Sequence, residues 1–338
     1  MKDTEYLVSI RCLTYNHARY ITDAMNGFCM QQTSFPFVAL IVDDASTDGE
    51  QDVIKEYLDK HFDMLTAQER ETEDAFFIEV DHKENKFCHF VVVLLKKNLY
   101  HIKSKKLSLV SKWEDNVKYR AGCEGDDYWT DPLKLQKQVK YMEEHKECCM
   151  TACAADWVKE GKLFKNDSVS DESRDLTTDE VILGGGGYLA TCSLVYDNSK
   201  LNGVIPKWRK NANVGDYPLQ IQGTLEGKLH YFPDTMCVYR YGCPGSWTSI
   251  NLGEDKQCSY DHWKKEIDWM MELDNATQKK YKSAICQHLK CYFSELYPRR
   301  MATLKDYLYV VFSVGSWHYY KRMIKDVVKR IFNYHYEM

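Results

Sequence analysis

The chain has 338 residues, 44% of them hydrophobic, and 45 Lys+Arg against 50 Asp+Glu give a formal net charge of -5. That length suits one large domain or a domain with an appendage, and the acidic balance argues against a general nucleic-acid binder. Thirteen cysteines, with no Cys-x-x-Cys pair matched by a second, read as small buried residues in a reducing compartment rather than as a disulfide or zinc framework.

The opening Met1-Lys2-Asp3-Thr4-Glu5 runs straight into a strand-like stretch too short for a signal peptide's apolar core. No run approaches the roughly 18–20 apolar residues that span a bilayer. The expected location is therefore cytoplasmic.

Tyr6 to Leu13 is rich in β-formers and reads as a buried first strand, broken by Thr14-Tyr15-Asn16-His17. Ile21, Ala24, Met25, Phe28 and Cys29 then recur at helical spacing, which predicts an amphipathic helix over about 19–32. Phe37 to Val42 is a second buried strand, ending in Asp43-Asp44-Ala45-Ser46-Thr47-Asp48-Gly49; Val53, Ile54, Tyr57 and Leu58 mark a second helix. Strand, helix, strand, helix implies a parallel sheet with right-handed crossovers. In such sheets ligands bind beyond the carboxyl ends of the strands, and Thr14-Tyr15-Asn16 and Asp43-Asp44 sit at two of those ends. Neither is a Gly-rich dinucleotide fingerprint, and there is no phosphate loop of the Gly-Lys-Ser/Thr kind.

Residues 62–88 are polar and charged and read as a surface insertion. Phe90 to Leu95 is a third strand, followed by a basic loop from Asn98 to Lys106, either a solvated face or a contact for an anionic substrate. Next comes Cys123-Glu124-Gly125-Asp126-Asp127-Tyr128-Trp129. Three carboxylates within four positions repel one another unless something positive sits among them. Mg²⁺ is typically held by one or two carboxylates plus the phosphates of a substrate; the plain alternative is a solvated acidic loop. Gly125 lets the backbone pass close to a ligand.

Asp131-Pro132 reads as an N-cap and first-turn proline opening a helix to about His145. Cys149 to Val158 and Leu189 to Tyr196 read as strands, 159–176 as a polar loop, and Gly184 to Gly187 as a hinge or close approach rather than a phosphate cradle. Asp216 opens a helix through Glu226; alone, it would be a cap or dipole partner. Lys228 to Pro233 and Cys237 to Tyr241 read as closing strands. From about Asp255 the pattern is helical: 261–273, 277–296, 304–311 and 317–332. The last carries Lys321, Arg322, Lys325, Lys329 and Arg330 beside an apolar face, suited either to an anionic membrane surface or to packing with its basic face in water.

Thr14-Tyr15-Asn16-His17, Val42 to Gly49, Cys123 to Pro132, Gly215-Asp216-Tyr217-Pro218-Leu219 and Val238-Tyr239-Arg240, in this order and spacing, resemble the family 2 glycosyltransferases, in particular bacterial members that build capsular, exopolysaccharide or lipopolysaccharide chains. The resemblance covers roughly residues 5–250. It implies an α/β GT-A fold, with a Rossmann-like, mostly parallel central sheet flanked by helices. Residues 1–250 would form the transferase domain, with 1–130 binding the nucleotide-sugar and 131–250 the acceptor, and 251–338 a helical extension.

It further implies a nucleotide-sugar donor, often a UDP-sugar, a divalent Mn²⁺ or Mg²⁺, and a glycan or lipid-linked acceptor. Such an acceptor would fit peripheral contact with the inner face of the membrane through the final helix. By position, Thr14, Tyr15 and Asn16 would line the nucleoside pocket, and Asp44 with Asp43 would read the base. Glu124, Asp126 and Asp127 stand at the family's Asp-x-Asp motif, with Glu124 in place of its first Asp; Asp126 and Asp127 are the expected metal ligands. Asp216 matches the general base. Arg240 would steady a phosphate or the acceptor, or make a structural ion pair. Two other classes stand beside this one. A sugar nucleotidyltransferase usually opens with a Gly-rich basic segment after the first strand, which Thr14-Tyr15-Asn16-His17 is not. A non-catalytic nucleotide- or sugar-binding protein would have no use for Asp216 together with the full acidic stretch.

Overall fold

A computed structural model of the chain describes residues 6–100, 102–159, 161–165, 169–243, 256–296, 321 and 325. They fall into two compact units, one of residues 1–177, 186–204 and 219–253, the other of residues 178–185, 205–218 and 254–338.

The first unit is built on one mixed sheet. Its strands are β1 (Val8–Thr14), β2 (Phe37–Asp43), β3 (Gln68–Glu71), β4 (Ala75–Asp81), β5 (Cys88–Leu95), β6 (Tyr119–Gly122), β7 (Tyr128–Trp129), β8 (Cys148–Lys159), β9 (Lys162–Phe164), β10 (Arg174–Leu176), β11 (Val195–Asp197) and β12 (Lys228–Tyr241). Their order is β10-β12-β8-β11-β6-β1-β2-β5-β4-β3, with β7 paired to β12 and β9 to β8. The centre, β6-β1-β2-β5, is parallel. Helices α1 (Ile21–Cys29) and α2 (Glu50–His61) connect its first strands.

The continuous apolar run of β2 follows from burial on both faces. Phe37, Ala39 and Ile41 pack into one cluster with Ile21, Ala24, Met25 and Phe28 of α1 and Ile54 and Leu58 of α2. Val38, Leu40 and Val42 point the other way, into a cluster with Ala75, Phe77, Val91, Val93 and Trp113. Each such buried aliphatic or aromatic side chain contributes about 1.5–3 kcal/mol. The register aligns Thr14 with Asp43 and Asp43 with Leu94, so three strands end together.

Several local expectations are corrected. Residues 62–88 are not an insertion: they form β3 and β4, which extend the sheet antiparallel from β5 and bury Ala75, Phe77, Ile78 and Val80. β4 is buried on both faces, Phe77 in the cluster with Val91 and Val93 and Ile78 and Val80 in the cluster with Ile41 and Ile54, while β3 outside it is exposed along its whole length. The segment 98–106 contains the start of a helix, Lys103–Ser108. The stretch 189–196 yields only β11, with a 3₁₀ turn at Thr191–Ser193 before it. The two expected closing strands are one long β12, with register shifts around Phe232 to Cys237.

In the second unit, helices Lys256–Ala276 and Lys282–Leu296 carry Ile267, Trp269, Met270, Leu273, Ile285 and Leu289 into a buried core. Trp269 stacks on Trp208 and meets Tyr217 edge-on, with centroids 6.2 and 5.6 Å apart. Tyr217 donates its hydroxyl proton to Ile182 O at 2.8 Å. A Cβ on Gly185, whose φ is +69°, would come within 3.1 Å of His288, so that part of the glycine run is a close approach. No helix among the described residues is long and apolar enough to cross a membrane. The expected helices at 304–311 and 317–332, and with them the proposed membrane face, lie outside the described residues, apart from helical Lys321 and Lys325.

Candidate functional site

The candidate site is assembled from the carboxyl ends of β1 and β2 and the turn after β6. After β1 the chain turns at Asn16 (φ 57°), and after β2 at Ala45 (φ 60°). The first is a left-handed position that Asn tolerates better than most residues. The two turns are sewn together. Asn16 N donates to Ser46 Oγ at 2.8 Å, and Thr47 N donates to Asn16 Oδ1 at 2.8 Å. Ala18 N donates to Asp48 Oδ2 at 2.9 Å. Tyr15 lies half-buried in the first turn.

Glu50, the first residue of α2, is the hub of this join and is fully buried. One of its oxygens accepts from Thr14 Oγ1, and the other from His17 N and Ser46 Oγ, each at 2.8 Å. Burial pushes its carboxyl up, against the pull of those donors. In the sequence Glu50 passes for an ordinary acid in a first helical turn; its role comes from contacts 33 and 36 residues away.

Asp43 and Asp44, expected to meet the nucleoside, are both buried. Asp44 Oδ1 accepts from Leu99 N at 2.6 Å, and Oδ2 pairs with Lys106 Nζ at 2.7 Å, an ion pair almost closed to solvent. Lys106 therefore belongs to the wall of the site, not to a solvated basic face; within a run of five lysines nothing local singles it out. Asp43 Oδ1 accepts from Ser46 N at 3.1 Å and Gln51 Nε2 at 2.5 Å, whereas its Oδ2 is buried without a partner among the described residues.

The acidic stretch crosses in front of these ends. Gly125 N donates to Leu13 O at 3.0 Å. A Cβ on Gly125 would collide with Thr14 Oγ1, so the close approach this glycine allows is to Thr14. The stretch is thereby pressed against β1, and Asp126 and Asp127 are carried inward while Glu124 stays exposed.

Asp127 Oδ1 accepts from Arg240 N at 2.8 Å; its Oδ2 is buried and has no partner among the described residues. Burial, then the neighbouring Asp126, push the Asp127 carboxyl well above the usual carboxylate range. Burial also raises Asp126, partly offset by His17 and Arg240. His17 Nε2 lies 3.9 Å from Asp126 Oδ2, and its Nδ1 lies 3.3 Å from Thr14 Oγ1.

Arg240 braces the turn. It donates to Asp126 O at 2.7 Å and Asp23 Oδ2 at 2.5 Å, with its guanidinium over the rings of Tyr128 and Tyr20, 4.4 and 4.9 Å from their centroids. Trp129 anchors the far side, donating to Cys192 O at 2.9 Å and packing against Gly27.

A divalent cation fits the donor chemistry of Asp126 and Asp127. Two neighbouring carboxylates are buried, raised by desolvation, and left with an unpartnered oxygen on Asp127. Among the described residues no group of three or more His, Cys, Asp or Glu is placed to hold a metal ion. The fit is therefore to a two-carboxylate site completed by substrate oxygens, the usual way Mg²⁺ is bound at phosphates.

Asp216 belongs to the second unit. It opens helix Asp216–Glu226 as expected, and its Oδ1 accepts from Tyr217 N at 2.9 Å. The Tyr217–Ile182 bond, the Trp269 contact and a bond from Asn213 Nδ2 to His262 O at 2.7 Å fix the segment that carries it.

No protein-family model matches the chain. It is 31% identical over 249 residues to the uncharacterized proteins Mb1547 of Mycobacterium bovis and Rv1520 of Mycobacterium tuberculosis, a match that covers 72% of this chain. It spans only 61% of the length of these curated relatives. Among solved structures, Staphylococcus aureus TarS 1-349 is similar at 15% identity with a TM-score of 0.58, covering 91% of this chain and 79% of that one. The same protein in complex with UDP gives 16% identity and a TM-score of 0.54, covering 85% and 72%. The α/β fold, with its large, mostly parallel central sheet flanked by helices, is thus the fold of these structures.

Proposed function

We propose that the chain is an inverting, metal-dependent glycosyltransferase that moves a sugar from a nucleotide-sugar to a hydroxyl of a glycan or lipid-linked acceptor in surface-polysaccharide assembly. The observation that carries this reading is the pair Asp126–Asp127, buried at the strand ends with Asp127 Oδ2 unpartnered. A buried carboxylate without a partner is costly, and its upkeep makes sense where a ligand completes it. The likeness to a fold solved with UDP supports a UDP-sugar as the first donor to test. Residues 1–130 then bind the donor and 131–250 the acceptor.

In this reading Thr14, Tyr15 and Asn16 line the nucleoside pocket, held open by the Glu50 ties, and Asp43 and Asp44 meet the base. Asp43 Oδ2 has no partner among the described residues, whereas Asp44 keeps the wall in place through Lys106. Glu124 and Asp126 approach the ribose and diphosphate. Asp126 and Asp127 hold the divalent ion, which when bound neutralises charge on the diphosphate. Arg240 keeps the acidic turn in shape. Asp216 takes the proton of the acceptor hydroxyl as its oxygen forms a bond to the anomeric carbon. The sugar–phosphate bond breaks and its electron pair leaves with the diphosphate. The transition state has oxocarbenium character, as in glycoside hydrolysis. One displacement with one base inverts the anomeric centre.

The test is a product assay with UDP-sugars and Mn²⁺. Release of UDP, by transfer or slow hydrolysis, is the expected result. In a parallel assay with UTP and sugar 1-phosphates, release of pyrophosphate would identify a nucleotidyltransferase instead, and release of neither product across all donors would leave a binding protein.

A further inference from the structure

In the second unit a buried acid stands behind Asp216. Glu266, on the helix Lys256–Ala276, is 2% exposed. Its Oε2 accepts from Trp269 Nε1 at 2.7 Å and from Asn213 Nδ2 at 3.5 Å. Its Oε1 lies 3.6 Å from Nε2 of His288, on the helix Lys282–Leu296. A buried acid is costly unless it is paired and hydrogen-bonded, and Glu266 meets that cost with partners from three separate stretches of chain.

Each of these partners reaches the segment that carries Asp216. Trp269 meets the Tyr217 ring edge-on with centroids 5.6 Å apart, and the His288 ring lies 5.5 Å from the same ring, tilted by 42°. Tyr217 is buried, follows Asp216 directly, and donates its backbone N–H to Asp216 Oδ1 at 2.9 Å. Asn213, three residues before Asp216, also donates to His262 O at 2.7 Å. His288 is backed by Gly185, where a Cβ would come within 3.1 Å of its ring. One carboxylate therefore ties two helices to both flanks of Asp216, which is itself half-buried. Glu272, further along the same helix, bonds Lys207 Nζ at 3.0 Å and Asn211 Nδ2 at 2.8 Å. Its side chain is 31% exposed, and ion pairs open to water hold little. Glu266 is the buried tie between this helix and the Asp216 segment.

We propose that Glu266 is a positioning residue for the general base: through Trp269 and His288 it holds the Tyr217 ring, and so fixes where Asp216 presents its carboxylate to the acceptor hydroxyl. The inference rests on the reading of Asp216 as that base. Glu266 touches no reacting atom; its effect is geometric, and a displacement of about 1 Å from a remote change can cost about 10²-fold in rate. The helices Lys256–Ala276 and Lys282–Leu296 lie outside the stretch that resembles the glycosyltransferases, yet in this account they set the aim of the base.

The experiment compares Glu266→Met, Glu266→Gln and Asp216→Asn with wild type in the full chain. It reads hydrogen exchange of peptides covering 211–219, calorimetric affinity for UDP with Mn²⁺, and kcat and KM for the UDP-sugar that turns over in the product assay. Methionine offers no acceptor to Trp269 Nε1, whereas glutamine keeps one without the charge. Glu266→Met is expected to speed exchange around Tyr217 and to lower kcat by about 10²-fold, with KM for the donor and UDP affinity as in wild type. Glu266→Gln should restore both slow exchange and kcat. Should Glu266→Met fail to fold, Trp269→Phe, which keeps a ring beside Tyr217 and removes the Nε1 donor, must lower kcat in the same way. Exchange as slow as wild type in Glu266→Met overturns the proposal. So does a wild-type kcat in Glu266→Met, or in Trp269→Phe where that variant replaces it, beside an inactive Asp216→Asn; Glu266 is then a structural residue only. Full turnover by Asp216→Asn, or none by wild type, removes the base assignment and the proposal with it.

Discussion

At the end of β2, Asp44 and Glu50 are buried with every carboxylate oxygen in a bond that the chain itself supplies: Leu99 N and Lys106 for Asp44, Thr14, His17 N and Ser46 for Glu50. After β6, Asp126 and Asp127 are as deeply buried, yet among the described residues Asp127 Oδ2 has no partner and Asp126 faces His17 Nε2 at 3.9 Å. Asp43 stands between the two cases, with one oxygen bonded and one without a partner among the described residues. Burying a charge is costly unless it is paired. Where the chain provides the donors, a buried acid is architecture; where provision stops, the proposed reading is that stability has been given up for a ligand. The difference separates two kinds of acid that look alike in sequence.

The sharpest break of the comparison is Asp126→Asn with Asp127→Asn. Removing two mutually repelling buried carboxylates should leave the thermal midpoint unchanged or higher, while metal-dependent UDP binding is abolished. A lower midpoint with binding retained would make these acids structural. Lys106→Met does the reverse on the architectural side. It strands Asp44 as an unpaired buried charge and should cost about 3–5 kcal/mol in urea unfolding; a loss within error of zero would show that Asp44 is not held as described.

Asp216→Asn should leave UDP binding intact and lower transfer by about 10²–10⁴-fold, the usual contribution of a general base. Turnover near wild type would remove Asp216 from that role. The mildest change is Gly125→Ala, whose Cβ meets Thr14. Overpacking of this kind costs about 1–3 kcal/mol, and UDP affinity should fall with it as the acidic turn is pushed off β1. An alanine variant as stable as wild type would mean that the turn has slack.

The core of the fold was legible because β1, β2 and β5 are buried on both faces and so read as unbroken apolar runs, while α1 shows its apolar stripe at helical spacing. The outer strands β3 and β4 were not, because Gln68–Glu71 is fully exposed and Ala75–Asp81 mixes its buried apolar residues with Glu79 and Asp81, so neither reads as an unbroken apolar run. At the site, the acidic stretch and the two strand-end loops announce themselves as short motifs. Glu50, His17 and Lys106 do not, since their meaning lies in partners remote in sequence: 33 and 36 residues for Glu50, 62 for Lys106, and Asp126 for His17. Arg240 was legible as a residue of interest, but not as the brace that ties Asp23, Asp126 and two tyrosines together.

The most direct test of the central claim is calorimetric titration of UDP into the protein with and without Mn²⁺, with GDP, CDP and ADP as references. The account expects UDP to bind with metal and to lose most of its affinity without it, with proton release on binding as the buried carboxyls ionise. UDP binding equally well without metal, or failing to bind in either condition, would contradict the assignment of Asp126 and Asp127 as the donor's metal site.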